Sequence, residues 1–197
     1  MNQKRVLKLA VTLLALLLLG CCVMFTGLKK LGYSAYPLKY QGLVQQYAAE
    51  NNIDPLVLYS VIRTESGFNP RAVSHVDALG LMQITEDTFD WIKSKIAPQE
   101  DLQFKDLYNP EVNIRFGAYY FAQCMERYQN DLPTAAAAYH SGWGTVDELL
   151  AQTEYSSDGK VLHTFPYQQM KRYVYKITKA FQKYQQLYAA AEIEGTL

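Results

Sequence analysis

A continuous apolar run near the start of the chain is the feature that most constrains its fold. The run from Leu9 to Leu28 holds 20 residues, and Thr12 and Thr26 are its only polar members. A helix of about 20 apolar residues is long enough to cross a hydrocarbon layer roughly 30 Å thick. The sequence therefore predicts a membrane anchor over residues 1–30, followed by a domain that lies in water.

The type of anchor has two interpretations. The segment Leu18-Leu19-Gly20-Cys21 is similar to a lipoprotein processing site, after which Cys21 would carry lipid. The apolar run continues past Cys21 to Phe25, where a processed lipoprotein has a polar tether, so an uncleaved transmembrane helix is favoured. Basic residues flank both ends of the run and favour a cytoplasmic N-terminus only weakly. They are Lys4, Arg5 and Lys8 before it and Lys29 and Lys30 after it.

The 197-residue chain has zero formal charge, but its basic residues are concentrated near the N-terminus and the rest of the chain is acidic. The first 30 residues hold five of the 19 basic residues and no acid, so residues 31–197 carry 14 basic and 19 acidic residues, a net charge of −5. Nucleic-acid-binding domains are basic, so we expect no nucleic-acid partner.

Helix-start signals recur along this acidic part. Asp54-Pro55 and Asn109-Pro110 each place a capping side chain before a proline at the first helical position, and Thr85 is a candidate cap for a helix through Ile92. No segment alternates like a strand. We therefore predict an all-α domain over residues 43–190, reached through a linker at 31–42. The last helix should bury one stripe of its surface: Tyr167, Met170, Val174, Ile177, Phe181, Tyr184 and Tyr188.

Glu65 is the first candidate catalytic residue. It shares a helix face with Leu58, Val61 and Ile62, and it lies on the last turn before Gly67, a residue that commonly ends helices. Partial burial and the negative end of the helix dipole both favour the protonated carboxyl that a general acid needs. A structural Glu paired with a nearby base is the alternative.

Two later segments carry groups suited to a sugar ligand. The turn Gly80-Leu81-Met82-Gln83 combines a glycine, which permits close backbone approach, with an amide that both donates and accepts hydrogen bonds. Tyr139 and Trp143 place aromatic faces in a glycine-rich loop. His140 has no second ligand at helical spacing, so we expect no metal ion and no cofactor. The lone Cys124 is expected to be a buried apolar residue.

Three segments together resemble the catalytic domain of the soluble lytic transglycosylases across roughly residues 43–187. They are ESGFNPRAVSHVDALGLMQI from Glu65 to Ile84, AAYHSGWG from Ala137 to Gly144, and FPYQQMKRYV from Phe165 to Val174. The resemblance implies a lysozyme-like α-domain that cleaves peptidoglycan between N-acetylmuramic acid and N-acetylglucosamine without water, leaving a 1,6-anhydro sugar.

The resemblance also assigns roles to residues. Glu65 would be the catalytic acid and later the base, and Tyr139 would lie at the reacting centre. The expected substrate-binding residues are Ser66, Ser74, Gly80, Leu81, Met82, Gln83, Tyr139, His140 and Tyr167. Because peptidoglycan lies outside the cytoplasmic membrane, the domain is expected on the extracytoplasmic side of a single-pass anchor.

The sequence departs from the family at two motifs. His140 and Ser141 replace the Asn and Ala of the usual AYNAG loop, and Gln169, Met170 and Lys171 replace the Glu, Thr and Arg of the C-terminal motif. Two other functions stay open. One is a hydrolytic muramidase in which Asp77 or another carboxylate orients water, and the other is a membrane-tethered peptidoglycan-binding scaffold without turnover.

Overall fold

A computed structural model of the protein describes the backbone of residues 3–189 and the side chains of residues 16–24 and 26–188. Within these residues the chain is helical, and only isolated bridges join Leu79 to Val73 and Ile84. The all-α prediction is confirmed. The α-helices are α1 Gln3–Ala35, α2 Gln41–Glu50, α3 Pro55–Ser66, α4 Glu86–Ile96, α5 Pro110–Arg127, α6 Leu132–Ser141, α7 Trp143–Leu150 and α8 Gln168–Tyr184. A short 3₁₀ helix spans Phe104–Tyr108, and a π turn at Gln185–Ala189 extends α8.

The helix starts follow the capping residues in the sequence. The Asp54 side chain accepts a hydrogen bond from Leu56 N at 2.8 Å, and the Asn109 side chain accepts one from Glu111 N at 2.9 Å. Thr85 precedes α4, but its hydroxyl donates to the Thr88 hydroxyl and accepts no hydrogen bond from a backbone N–H of α4. The end predicted for α4 at Ile92 is wrong, because the helix continues to Ile96.

Helix α6 packs against α5 and α8, and α8 also packs against α3. Most of the predicted apolar stripe of α8 is buried, from Met170 to Tyr188. Tyr167 is an exception with 53% of its surface exposed, because α8 begins one residue later at Gln168. The lone Cys124 is fully buried, as predicted, and accepts a hydrogen bond from the Trp143 indole at 3.2 Å.

Helix α1 extends into the segment predicted as a linker. Its part from Leu16 to Ala35 is apolar and long enough to cross a membrane, with a mean hydropathy of 1.4. It overlaps the predicted run from Leu9 to Leu28, of which the side chains of residues 9–15 and of Phe25 lie outside the described residues. The domain boundaries stay predictions.

The end of α1 is docked on the domain. Tyr188 donates a hydrogen bond to Tyr36 O at 2.7 Å, and Tyr184 donates one to Pro37 O at 3.2 Å. The rings of Tyr33 and Tyr188 meet edge to face at 5.2 Å. Residues 33–37 are therefore held against the C-terminal helix, and this segment has less conformational freedom than a flexible linker.

Candidate active site

A cleft of about 570 Å³ opens where the C-terminal end of α3 meets the loop before α4. The ends of α6 and α8 and one face of α5 complete its walls. It brings together five residues that the sequence singled out, namely Glu65, Ser74, Gln83, Tyr139 and His140. Nine further residues of the lining were not predicted as ligands, and six of them have polar side-chain atoms: His75, Thr85, Thr88, Tyr120, Ser141 and Gln169.

Glu65 is the only carboxylate among the described residues that line this cleft. Burial raises its pKa to about 7, and the Tyr173 hydroxyl and the charge of Lys176 oppose this effect. Tyr173 donates its hydroxyl proton to Glu65 Oε1 over 2.6 Å. Because one carboxylate oxygen is held in this way, the other is the atom left to exchange a proton with a ligand in the cleft.

His140 and Tyr173 form a stacked pair beside the carboxylate. Their ring centroids lie 4.6 Å apart and their planes differ by 13°. Tyr173 is buried, whereas His140 is exposed along the cleft. Partial burial lowers the pKa of His140 below its ordinary value. The ring is therefore mainly neutral at pH 7, and it covers the tyrosine that holds Glu65.

The turn from Gly80 to Gln83 lies beneath the cleft, and of its four residues Gln83 lines the cleft. Gly80 has a φ of +77°, and a Cβ added there would collide with the Asn113 amide and the Leu107 carbonyl oxygen. Gln83 also lies in the left-handed region, with a φ of +52°. Its amide nitrogen donates to Gly80 O at 3.0 Å and to Ala72 O at 3.2 Å. The nitrogen is thus engaged within the turn, and the side-chain oxygen is the polar atom that Gln83 offers to a ligand.

Asn113 holds this turn from below and was not identified from the sequence. Its Oδ1 accepts from Met82 N at 2.8 Å, and its Nδ2 donates to Leu79 O at 3.0 Å and Leu107 O at 2.8 Å. Asn113 is fully buried on the face of α5 that also carries Phe116 and Gly117. A polar residue at a position of the apolar face was the signal that could have revealed it.

Tyr139 joins the end of α6 to the same turn. Its hydroxyl donates to Met82 O at 2.8 Å, and its ring packs against those of Tyr120 and Phe121. Burial raises the pKa of Tyr139 well above its ordinary value, and the neighbouring Glu65 adds to this effect. Tyr139 is therefore a neutral hydrogen-bond donor in the range where Glu65 titrates.

Comparisons with known proteins show the family of this chain. The family model for the transglycosylase SLT domain matches residues 42–161. The chain belongs to this family. It is 33% identical over 168 residues to a membrane-bound lytic murein transglycosylase C of Actinobacillus pleuropneumoniae, covering 74% of this chain and 46% of that protein. The chain thus spans about half the length of the curated relatives it matches.

Two solved structures share the fold of this SLT domain. The 70 kDa soluble lytic transglycosylase of Escherichia coli matches with a TM-score of 0.70 and 24% identity, over 78% of this chain and 25% of that one. An inactive Glu-to-Gln mutant of the lytic transglycosylase Slt of Pseudomonas aeruginosa matches with a TM-score of 0.67 and 25% identity, over the same shares. The lysozyme-like fold predicted from the motifs is confirmed.

Several residues predicted as ligands lie outside the cleft lining of this SLT domain. The side chains of Leu81 and Met82 are fully buried in the core. Ser66 donates to Leu81 O at 2.8 Å and ties the end of α3 to the turn. Gly80 lies beneath the surface, and Tyr167 is exposed beyond the cleft. Their direct contact with substrate stays a prediction, and the structure gives the first four a role in shaping the turn.

Ser74 and Asp77 lie on the loop that leads to this turn. Ser74 lines the cleft, and its hydroxyl oxygen accepts from Val76 N at 3.2 Å and Ala78 N at 3.1 Å. The hydroxyl proton is therefore available to an acceptor on a ligand. Asp77 has a φ of +57°, is exposed and does not line the cleft.

The residues that depart from the family motif have separate places in the structure. Gln169 lines the cleft, Met170 is buried in the core, and Lys171 is exposed on α8. Gln169 thus puts a neutral amide where the family motif has a carboxylate. The described side chains contain no group of three His, Cys, Asp or Glu residues placed to hold a metal ion.

Proposed function

We propose that this protein is a membrane-attached lytic transglycosylase that cleaves peptidoglycan with Glu65 as its acid and base. The observation that carries the proposal is a buried carboxyl with a pKa raised to about 7, alone among acids in the described cleft lining. The matched relatives named membrane-bound lytic murein transglycosylase C support it. The structure of an inactive Glu-to-Gln mutant of the Pseudomonas aeruginosa enzyme also supports it, because that enzyme shares the fold of this chain. In this chain, Glu65 is the one glutamate among the described residues of the cleft lining.

Glu65 acts first as the acid. With a pKa of about 7, a large share of the carboxyl carries its proton at neutral pH. The proton passes to the glycosidic oxygen between N-acetylmuramic acid and N-acetylglucosamine, and the bond to C1 of the muramic acid breaks. The hydrogen bond from Tyr173 and the charge of Lys176 stabilise the carboxylate that remains.

The same carboxylate then acts as the base. It takes the proton of the C6 hydroxyl of N-acetylmuramic acid as that oxygen attacks C1, which closes the 1,6-anhydro ring and restores the acid. Hydrolytic glycosidases generally need a second carboxyl to activate water or to act as the nucleophile. No second carboxyl lines the described cleft, and Asp77 lies outside the lining. This favours the intramolecular reaction over hydrolysis.

The membrane part of the proposal depends on α1. The span from Leu16 to Ala35 is apolar and unburied, and the matched relatives are named membrane-bound. A helix of this kind attaches the domain to a bilayer. We place the N-terminus in the cytoplasm and the cleft on the extracytoplasmic side, where peptidoglycan lies.

The experiment that tests the function is mass spectrometry of soluble products after purified peptidoglycan is incubated with the full chain in detergent. We expect anhydro-muropeptides from the wild type, and a loss of at least roughly 10²-fold for Glu65→Gln. The matched control is Glu126→Gln, which changes an exposed glutamate on α5. Reducing-end products that vanish with Asp77→Asn would show a hydrolase. Absence of products from the folded wild type would favour the scaffold.

A further inference from the structure

A second cavity, of about 250 Å³, lies between α3, α8 and the residue that follows α1. Its lining includes three cationic side chains, Arg63, Lys176 and Lys179, together with Tyr36, Thr64 and Tyr175. We call it the basic pocket. It shares no lining residue with the catalytic cleft.

The charges of the basic pocket are not neutralised by carboxylates in its wall. No Asp or Glu is among its lining residues, and the salt bridges of the described part of the chain join other residues, Arg115 to Glu100 and Arg127 to Asp147. Three cations around one cavity repel one another, and an anion in the cavity would relieve this repulsion. The arrangement is notable in a domain whose net charge is −5.

Tyrosine rings hold two of the three cations in position. The Arg63 guanidinium lies 4.1 Å from the centre of the Tyr36 ring, and its Nε donates to Ala35 O at 3.0 Å. Lys179 Nζ donates to the Tyr175 hydroxyl at 3.0 Å. The remaining guanidinium N–H groups of Arg63 form the planar fork that binds a phosphate with two parallel hydrogen bonds.

The basic pocket lies where α1 leaves the membrane in the proposed arrangement. Arg63 contacts Ala35, the last residue of α1 and of its apolar span. If the membrane segment ends earlier, at Leu28, the seven residues to Ala35 add only about 10 Å of helix. Either placement brings the pocket to the level of the lipid headgroups, where tyrosines are also enriched.

We propose that the basic pocket binds the phosphodiester headgroup of an anionic membrane lipid, such as phosphatidylglycerol. The inference rests on the membrane attachment proposed above. Arg63 would engage the phosphate oxygens with its fork, and Lys176 and Lys179 would add two further positive charges. A bound headgroup would press α3 and α8 against the bilayer and fix the direction in which the cleft faces.

The test uses the full chain in nanodiscs of phosphatidylcholine alone or with a third of phosphatidylglycerol. Native mass spectrometry counts the lipids that stay bound to the released protein. We expect wild type to retain phosphatidylglycerol in preference to phosphatidylcholine, and Lys176→Gln/Lys179→Gln to lose roughly tenfold of that preference. Lys183→Gln is the matched control, because Lys183 is exposed on α8 outside the pocket. Arg63→Lys, which keeps the charge but removes the fork, should give an intermediate loss.

The outcomes separate this inference from the function on which it rests. Equal retention of both lipids by wild type, or an unchanged preference in the folded double variant, would overturn the lipid site and leave the anchor intact. Failure of the chain to enter nanodiscs would overturn both. Displacement of phosphatidylglycerol by millimolar inorganic phosphate, with phosphate adducts in its place, would show a site for free anions and overturn the lipid assignment.

Discussion

The Tyr173 hydroxyl donates a hydrogen bond of 2.6 Å to Glu65 Oε1, across 108 residues of sequence. The contact joins the buried face of α8 to the last turn of α3, and His140 stacks on the tyrosine ring. It stabilises the charged carboxylate, whereas burial of Glu65 stabilises the neutral acid. The balance between the two decides how much of the acid is protonated at a given pH.

Tyr173→Phe should therefore move the pH dependence of turnover. Without the hydroxyl the carboxylate loses a stabilising donor, so the pKa of Glu65 rises above about 7 and the acid stays protonated to higher pH. The alkaline limb of the rate profile should shift to higher pH, and the maximal rate should fall because Glu65 is less firmly oriented. The measurement is release of anhydro-muropeptides between pH 5 and 9. Tyr108→Phe, at an exposed tyrosine of the 3₁₀ helix, should leave the profile in place.

Glu65→Gln should change stability in a pH-dependent way. The pKa of Glu65 is about 7 in the folded state and about 4.5 for a solvated glutamate, so the native state holds more protons than the unfolded state between these values. The free energy of unfolding of wild type therefore falls as pH rises from 4.5 through 7, by roughly 3 kcal/mol in total from this group. A neutral amide at position 65 removes this loss, and its oxygen can still accept from Tyr173.

Denaturant unfolding at pH 5 and pH 8 checks the stability prediction. Glu65→Gln should be more stable than wild type at pH 8, with a much smaller difference at pH 5. The exposed Glu126→Gln variant supplies the baseline. If the stability of Glu65→Gln fell with pH as steeply as that of wild type, Glu65 would not be the group whose burial makes the stability of wild type depend on pH.

Local sequence signals predicted helix starts well where a side chain caps its own helix. Asp54 and Asn109 accept from the second residue of their helices, and such contacts depend on neighbours in sequence alone. Glu65 could be placed on the apolar side of α3 from helical spacing for the same reason. The family motifs identified the fold, because the motifs form the turn and the helix ends that shape the cleft.

Contacts between residues far apart in sequence could not be predicted from local sequence patterns. Nothing local indicates that Tyr173 meets Glu65, or that Asn113 holds the turn at Gly80 from 33 positions away. The docking of Tyr36 on Tyr188 was missed because residues 31–42 have the composition of a linker. Their tyrosines acquire an apolar setting only once α8 is folded.

Asn113→Ala should destabilise the domain and damage the cleft together. The change removes three hydrogen bonds and leaves the Met82 N–H and two carbonyl groups without their partner. A buried polar group left unsatisfied costs about 1–3 kcal/mol, so a loss on the order of 3 kcal/mol or more is expected. Gln123→Ala, at a half-buried position on the same helix, is the control.

The readouts for Asn113→Ala are the midpoint of thermal unfolding and the turnover of peptidoglycan well below that midpoint. Turnover should fall because Gln83 and Tyr139 are both bonded to the turn that Asn113 supports. A variant that keeps wild-type turnover while losing stability would show that the turn holds its shape without Asn113.

Tyr188→Phe should loosen the end of α1 without unfolding the domain. The hydroxyl donates to Tyr36 O at 2.7 Å. Its removal should lower the free energy of local opening by about 1 kcal/mol, which corresponds to roughly fivefold faster exchange through that opening. Hydrogen–deuterium exchange of the full chain in detergent should therefore speed up over residues 32–38. Tyr108→Phe removes a hydroxyl from an exposed tyrosine far along the chain and should leave this exchange unchanged. Equal exchange in wild type and Tyr188→Phe, both as fast as in an unstructured peptide, would show that residues 31–42 are a free linker, as their composition first indicated.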